Sequence, residues 1–271
     1  MKLSEIYALA EKITPKRLSD EYCASYGAYD NSGVLVDAGE EIDKILFSLD
    51  LSDGAVDKAI AEGAKLIITH HPAIYGKISA IRCDDKNLLG GKLVRCLRHG
   101  ISVLSFHLNL DGAVGGIDDS LMEGVRLSSG KTTGAGTKVS VMHPLSDGGY
   151  GKAYALSKIA LKDLKKNMEK TFSSSRILMY GDEEKTVERA ASFCGAGADE
   201  EAVAFALREG ADVIVSADFK HHVLTLATES GLSVIALTHY ASEQYGFEKF
   251  YEKIRRQVEI PCVLHADENL L

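Results

Sequence analysis

The chain has 271 residues, of which 45% are hydrophobic and 26% charged, with a net charge of −8. This length and balance describe a folded chain of one large or two medium domains and exclude a disordered tail or a fibre. No basic arm marks a nucleic-acid binder, and no apolar run reaches the ~18 residues of a membrane span, so neither partner is expected.

Met1 to Ile13 alternates polar and apolar residues at helical spacing and lacks the apolar core of a secretory signal, so a cytoplasmic location is expected. Beyond it, short β-rich runs alternate with amphipathic stretches. Lys44–Asp50 reads as a strand, Ala55–Glu62 as a helix and Lys65–Thr69 as a strand. Asn87–His99 reads as a helix closed by Gly100, Ile101–Phe106 as a strand and Ile117–Arg126 as a helix. In the second half, Glu200–Glu209 and His222–Ser230 read as helices, Asp212–Ser216 and Ser233–Leu237 as strands, and Tyr245–Val258 as a final charged helix. This alternation predicts an α/β fold with helices packed on mixed sheets. Five cysteines (Cys23, Cys83, Cys96, Cys194, Cys262) are widely spaced with no Cys-x-x-Cys pair and read as scattered free thiols rather than a zinc–thiolate site.

Two segments repeat. Ala55–Thr69 (AVDKAIAEGAKLIIT) and Ala202–Ser216 (AVAFALREGADVIVS) are identical at seven of fifteen positions. Each precedes a histidine pair, His70-His71 directly and His221-His222 after the inserted Ala217–Lys220. Each continues through a helix and a Gly-x-Ser-Val strand to a His-x-x-x-acid element, His107–Asp111 or His239–Glu243. The shared order predicts an internal duplication into two similar α/β domains, 1–128 and 129–271, joined by a loop over Ser128–Thr137 that holds Gly130, Gly134 and Gly136.

All these polar residues fall at the carboxyl ends of predicted strands, where open α/β sheets bind ligands. Imidazoles with carboxylates suit divalent zinc, iron, manganese or nickel. Adjacent side chains on extended backbone point opposite ways, so His70 and His71 are expected to hold different ions. His239 and Glu243 share a face if a helix begins just after the strand, and Glu243 has two oxygens with which to bridge, while Asp111 would complete one ion's set. There is no His-Glu-x-x-His run of a zinc peptidase and no Gly-x-Ser-x-Gly elbow of a serine hydrolase. Gly112–Gly116 reads as a turn and helix start or as backbone N–H groups that accept an anionic substrate, Tyr29–Gly33 as a turn, and Lys220 as a solvated lysine or one that neutralises a phosphate.

LIITHHP (Leu66–Pro72), HLNLDGAVGGIDDSL (His107–Leu121), SADFKHH (Ser216–His222) and THYASE (Thr238–Glu243) together resemble the dinuclear metal-centre proteins related to Ngg-interacting factor three, often named GTP cyclohydrolase I type 2 homologues. The resemblance spans nearly the whole chain, in the short form without an inserted domain; Tyr29 stands where many members have tryptophan. It implies a ring-shaped hexamer and two divalent ions held where the two domains meet. The implied ligands are His71 and Asp111 for one ion, His70 and His239 for the other, and Glu243 as bridge. His107, His221 and His222 then either support the ligands from behind or face substrate.

Two ions ~3.5–4 Å apart can activate a water and clamp an anionic or carbonyl oxygen. One expectation is therefore a metal-dependent hydrolase using a metal-bound hydroxide on a small anionic substrate, by ring opening of GTP or phosphoester hydrolysis, with His107 or His221 moving protons. The other is a non-enzymatic metal-binding, metal-delivery or scaffold protein. His221 and His222, displaced by the insertion, are expected to leave at least one imidazole beside the ions without ligating them.

Overall fold

The structure, a computed structural model, describes residues 1–39, 41–78, 80–82, 88–132 and 138–271. Cys83, the helix start expected at Asn87, and the expected linker glycines Gly134 and Gly136 lie outside the described residues. In chain order, α1 (Leu3–Ala10), α2 (Lys16–Tyr26), β1 (Gly33–Val36), β2 (Ile45–Ser48), α3 (Asp53–Glu62), β3 (Leu66–Thr69), α4 (Leu89–Arg98), β4 (Ser102–Ser105) and α5 (Leu108–Gly112) form the first series. There follow α6 (Ile117–Ser128), β5 (Val139–Pro144), β6 (Gly149–Ala160), α7 (Leu161–Thr171), β7 (Leu178–Tyr180), β8 (Thr186–Ser192), α8 (Glu200–Arg208), β9 (Val213–Ser216), α9 (His221–Glu229), β10 (Ser233–Ala236), α10 (His239–Arg255) and β11 (Cys262–Leu264).

The first unit comprises Met1–Ala113 and Phe247–Asp267. Its sheet runs β1-β4-β3-β2-β11, with β4, β3, β2 and β11 parallel and β1 antiparallel at the edge. Every residue of β2, β3 and β4 is buried, as near-continuous apolar runs in a parallel sheet require cover on both faces. Leu46, Ile67 and Val103 pack with Val56 and Ala59 of α3 and Leu93 and Cys96 of α4. On the other face Phe47 meets Phe247 and Phe250, and Phe250 also meets Phe106 edge-on, so the last part of α10 closes this core.

The second unit comprises Val114–Gly246 and Glu268–Leu271. Its sheet runs β5-β6-β8-β9-β10-β7, with β8, β9 and β10 parallel and the others antiparallel to their neighbours. Within each unit the same series recurs: an antiparallel edge strand, then strand, helix, strand, helix, strand, with the last strand pairing back to the edge one. Ser52 and Asp199 cap the matching helices α3 and α8 by accepting from Ala55 and Ala202 backbone N–H. The duplication is thus visible in topology as well as in sequence.

The chain does not divide at 128/129 as expected. Helix α6 belongs with the second unit, where Arg126 donates to the Ala155 carbonyl of β6, and the C-terminal segment returns β11 to the first sheet beside β2. Of the free cysteines described, Cys96 and Cys194 are buried. Burial pushes the Cys96 and Cys262 thiols up to about 11, the state of unreactive thiols.

Inside the second unit Asp118 and Lys152 are buried together. Asp118 Oδ2 accepts from Lys152 Nζ (3.1 Å) and Gly151 N–H (2.9 Å), and Oδ1 accepts from Cys194 N–H (3.2 Å). Asp119 adds a second carboxylate 3.2 Å from the ammonium. Removing one partner of a buried pair leaves an uncompensated charge. Lys152→Met is therefore expected to lower stability by about 3–5 kcal/mol in urea denaturation at pH 7; a loss below about 1 kcal/mol, typical of a surface pair, would contradict a desolvated pair.

Candidate metal centre

In the first unit the ends of three parallel strands lie in register, Ser48 beside Thr69 beside Ser105. The residues that follow, Asp50, His70-His71 and Phe106-His107, therefore leave the sheet side by side. The Thr69 and Ser105 hydroxyls, 2.7 Å apart, fix the turn: Thr69 Oγ1 donates to the His71 carbonyl and Ser105 Oγ accepts from Ala73 N–H. Extended backbone stops at Thr69, and both His70 and His71 N–H donate to the Leu49 carbonyl. The expected opposite orientation is thereby lost. The two rings lie 4.8 Å apart and the His107 ring is 5.2 Å from His70 and 5.8 Å from His71. One nitrogen from each of His70, His71 and His107 falls within 4.8 Å of the others, which makes them a group able to hold a metal ion.

Each imidazole is oriented by an acceptor on Nδ1. His70 Nδ1 lies 2.8 Å from the Phe106 carbonyl, His71 Nδ1 2.8 Å from Asp50 Oδ1, and His107 Nδ1 2.8 Å from Asp30 Oδ1. Carbonyl and carboxylate oxygens only accept, so Nδ1 carries the proton and Nε2 holds the lone pair. His70 Nε2 stands 3.5 Å from Asp111 Oδ1, an oxygen delivered by the short helix α5.

Asp30, read from sequence as a turn residue, is part of this arrangement. It also accepts from Ser19 and Ser32 hydroxyls at 2.5 and 2.6 Å. Burial alone would raise its pKa, but the His107, Ser19 and Ser32 hydrogen bonds outweigh it and hold the carboxyl well below the usual range. Burial likewise pulls His107 down, but the Asp30 hydrogen bond and the charges of Asp111 and Asp30 outweigh it and the net shift is upward.

In the second unit, β9 and β10 end in register at Ser216 and Ala236. Helix α10 begins at His239, six residues before the expected Tyr245, so His239 and Glu243 do share a helix face. His239 Nε2 lies 3.1 Å from Glu243 Oε1, and its Nδ1 lies 2.6 Å from Asp218 Oδ2. Asp218 has φ 48°, a left-handed conformation that an aspartate tolerates better than most residues. A Cβ at Gly195 would stand 2.3 Å from Glu243 Oε1, so only glycine fits against the buried carboxylate. Gly195 is itself fixed, donating to Ser242 Oγ and accepting from Ser216 Oγ and Ala217 N–H.

His221 and His222 open α9 and are both exposed. His222 Nε2 contacts Glu200 Oε1 at 2.9 Å on the surface. Neither joins a metal-holding group among the described residues. Asp218, which precedes the His221-His222 pair, supplies the carboxylate beside His239. Asp30, Asp50, Asp218 and Gly195 are the site residues that sequence reasoning missed; the two acids that lie two residues past strand ends, Asp50 and Asp218, were the available signal.

The model of the Duf34/NIF3 (NGG1p interacting factor 3) family matches residues 1–269, and the chain belongs to that family. A Clostridium perfringens protein named GTP cyclohydrolase 1 type 2 homolog is 29% identical over 96% of this chain and 93% of its own. The solved structure of reduced HcgD from Methanocaldococcus jannaschii superposes with a TM-score of 0.77 at 26% identity, covering 97% of each chain. The Staphylococcus aureus protein SA1388 shares the fold with a TM-score of 0.80 at 20% identity, covering 98% of this chain and 96% of its own. No described helix is long and apolar enough to cross a membrane.

The Asp30–His107 pair gives a pH prediction for the metal-free protein. His107, raised above 6.5, contributes stability that is full below 6.5 and is lost as pH rises through its folded pKa. Asp30, lowered from 3.8, contributes stability present above 3.8 and lost as pH falls through its folded pKa. The stability difference between wild type and Asp30→Asn should therefore be largest between about pH 4 and 6.5, and shrink above that window, in denaturant titrations at several pH values. A difference that grows steadily toward pH 8 would contradict the pairing.

Proposed function

We propose that the chain binds two divalent ions through His70, His71, Asp111, His239 and Glu243 and is a metal-dependent hydrolase of a small anionic substrate. The observation that carries this reading is the common state of the imidazoles. His70, His71 and His239 each have Nδ1 on an oxygen acceptor, so each offers Nε2, and Asp111 and Glu243 each bring a carboxylate oxygen within 3.5 Å of one such nitrogen. Nitrogen and oxygen donors without thiolate suit zinc, iron, manganese or nickel. The relatives named as GTP cyclohydrolase 1 type 2 homologs make ring opening of a purine nucleotide the first reaction to examine, with phosphoester hydrolysis second.

When bound, a pair of such ions supplies Lewis acidity and brings the ionisation of water near neutral pH. The protein's part is distributed. His70 with Asp111 would hold one ion and His71 with His239 the other, and Glu243, with two oxygens, would serve both. Asp50 and Asp218 hold the His71 and His239 rings and raise their basicity as ligands. His107, held by Asp30, moves a proton at Nε2. The family resemblance supports a ring-shaped hexamer as the working assembly.

Two measurements test this reading. Elemental analysis of purified variants should show Glu243→Ala losing close to two ions per chain and Asp111→Ala losing one; equal loss of a single ion in both would refute the bridge. Wild type loaded with manganese, iron or zinc should turn over GTP or a phosphoester, and Glu243→Ala should lose that activity by at least about a hundredfold. Stoichiometric metal without turnover across that screen, with transfer of metal to an acceptor protein, would replace hydrolysis with metal delivery.

A further inference from the structure

Two exposed tyrosines flank the histidine group and take no part in the site described so far. Tyr29 is 58% and Tyr75 53% exposed, yet they are not isolated surface residues. Their rings stand at 86° with centroids 5.4 Å apart, and the Tyr75 hydroxyl faces the Tyr29 carbonyl at 3.4 Å. Tyr75 in turn stands at 88° to the His107 ring with centroids 6.2 Å apart. The backbones that carry them are tied, because Asn31 Nδ2 donates to the Ile74 carbonyl at 2.6 Å. The result is a fixed right-angled corner of two aromatic rings whose inner neighbour is an imidazole of the metal-donor group.

We propose that this corner is a subsite for a planar heteroaromatic ring, so that the substrate is a base-bearing anion such as a nucleotide, with its ring on Tyr29 and Tyr75 and its anionic arm toward the metal donors. The proposal rests on the metal reading above for the anionic arm, and on the tyrosines alone for the ring. Aromatic pairs favour offset-stacked or edge-to-face contacts, and two rings at right angles provide one of each to a third flat ring. A base stacked on an aromatic side chain gains affinity without requiring a particular sequence of hydrogen bonds. The net charge of −8 gives an anion no general attraction to this protein, so an anionic ligand needs both the ions and the ring to settle here.

The test is calorimetric titration of the metal-loaded protein with guanosine 5′-monophosphate, ribose 5-phosphate and guanosine. The nucleotide should bind about tenfold or more tighter than ribose 5-phosphate. Tyr75→Ala and Tyr29→Ala should each erase most of that advantage while leaving metal content and ribose 5-phosphate affinity unchanged, and Tyr75→Phe should retain it. Equal affinity of wild type for the two phosphates, or unaltered nucleotide affinity in both alanine variants, would overturn the proposal. A change of assembly mass in Tyr75→Ala with nucleotide affinity intact would also overturn it, since the corner would then be a contact between copies of the chain. Guanosine separates this inference from the metal reading: Tyr75-dependent binding of guanosine to metal-free protein persists if only the metal reading fails, and its absence overturns the ring subsite.

Discussion

In each unit the strand-end imidazoles depend on one repeated interaction, a hydrogen bond from Nδ1 to a fixed oxygen. It is made by the Phe106 carbonyl for His70, by Asp50 for His71, by Asp30 for His107 and by Asp218 for His239. Each bond selects one tautomer and one ring plane, and so decides which nitrogen is left as the lone-pair donor. Without it a histidine at a strand end is a mobile side chain with two equivalent choices. With it, donors are set before any ligand arrives, which reduces the ordering cost of binding.

The sheets make these bonds possible. Parallel strands in register bring residues far apart in sequence to one edge, and the hydroxyls of Thr69 and Ser105 finish the turn that carries His70 and His71. The duplicated unit uses the same edge differently. Where the first unit has a histidine pair past its middle strand, the second has Asp218 in a left-handed conformation, and its own histidine pair is carried out to the start of α9. Counted from the register-matched strand ends Ser105 and Ala236, His107 is the second residue and His239 the third. Duplication supplied the framework, and an insertion with a one-residue offset made the halves chemically unequal.

Much of this was legible in the sequence. The buried runs LIIT and VIVS are short, mostly apolar and β-branched, and they are strands, as is SVLS despite its two serines. The His-x-x-x-acid spacing correctly placed His239 and Glu243 on one helix face. What escaped had physical reasons. The buried Ser242, Glu243 and Gln244 interrupt the apolar period at the start of α10, so the sequence pattern marks this helix only from Tyr245. The strand β6 contains the buried Lys152 and three glycines or tyrosines at its start, which hide an interior strand behind a polar pattern. Asp30 and Asp50 are lone acids whose partners lie 77 and 21 residues away, and no local spacing marks them. The pairing of Asp111 with His70 follows from a backbone turn that strand periodicity alone does not contain.

The most direct test of the central claim is anomalous diffraction from crystals of the metal-loaded protein. Ions should be bound by Nε2 of His70, His71 and His239 at about 2.0–2.1 Å, with every Nδ1 still on its oxygen partner. Ions ligated through Nδ1, with the bonds to Asp50 and Asp218 broken, would contradict it.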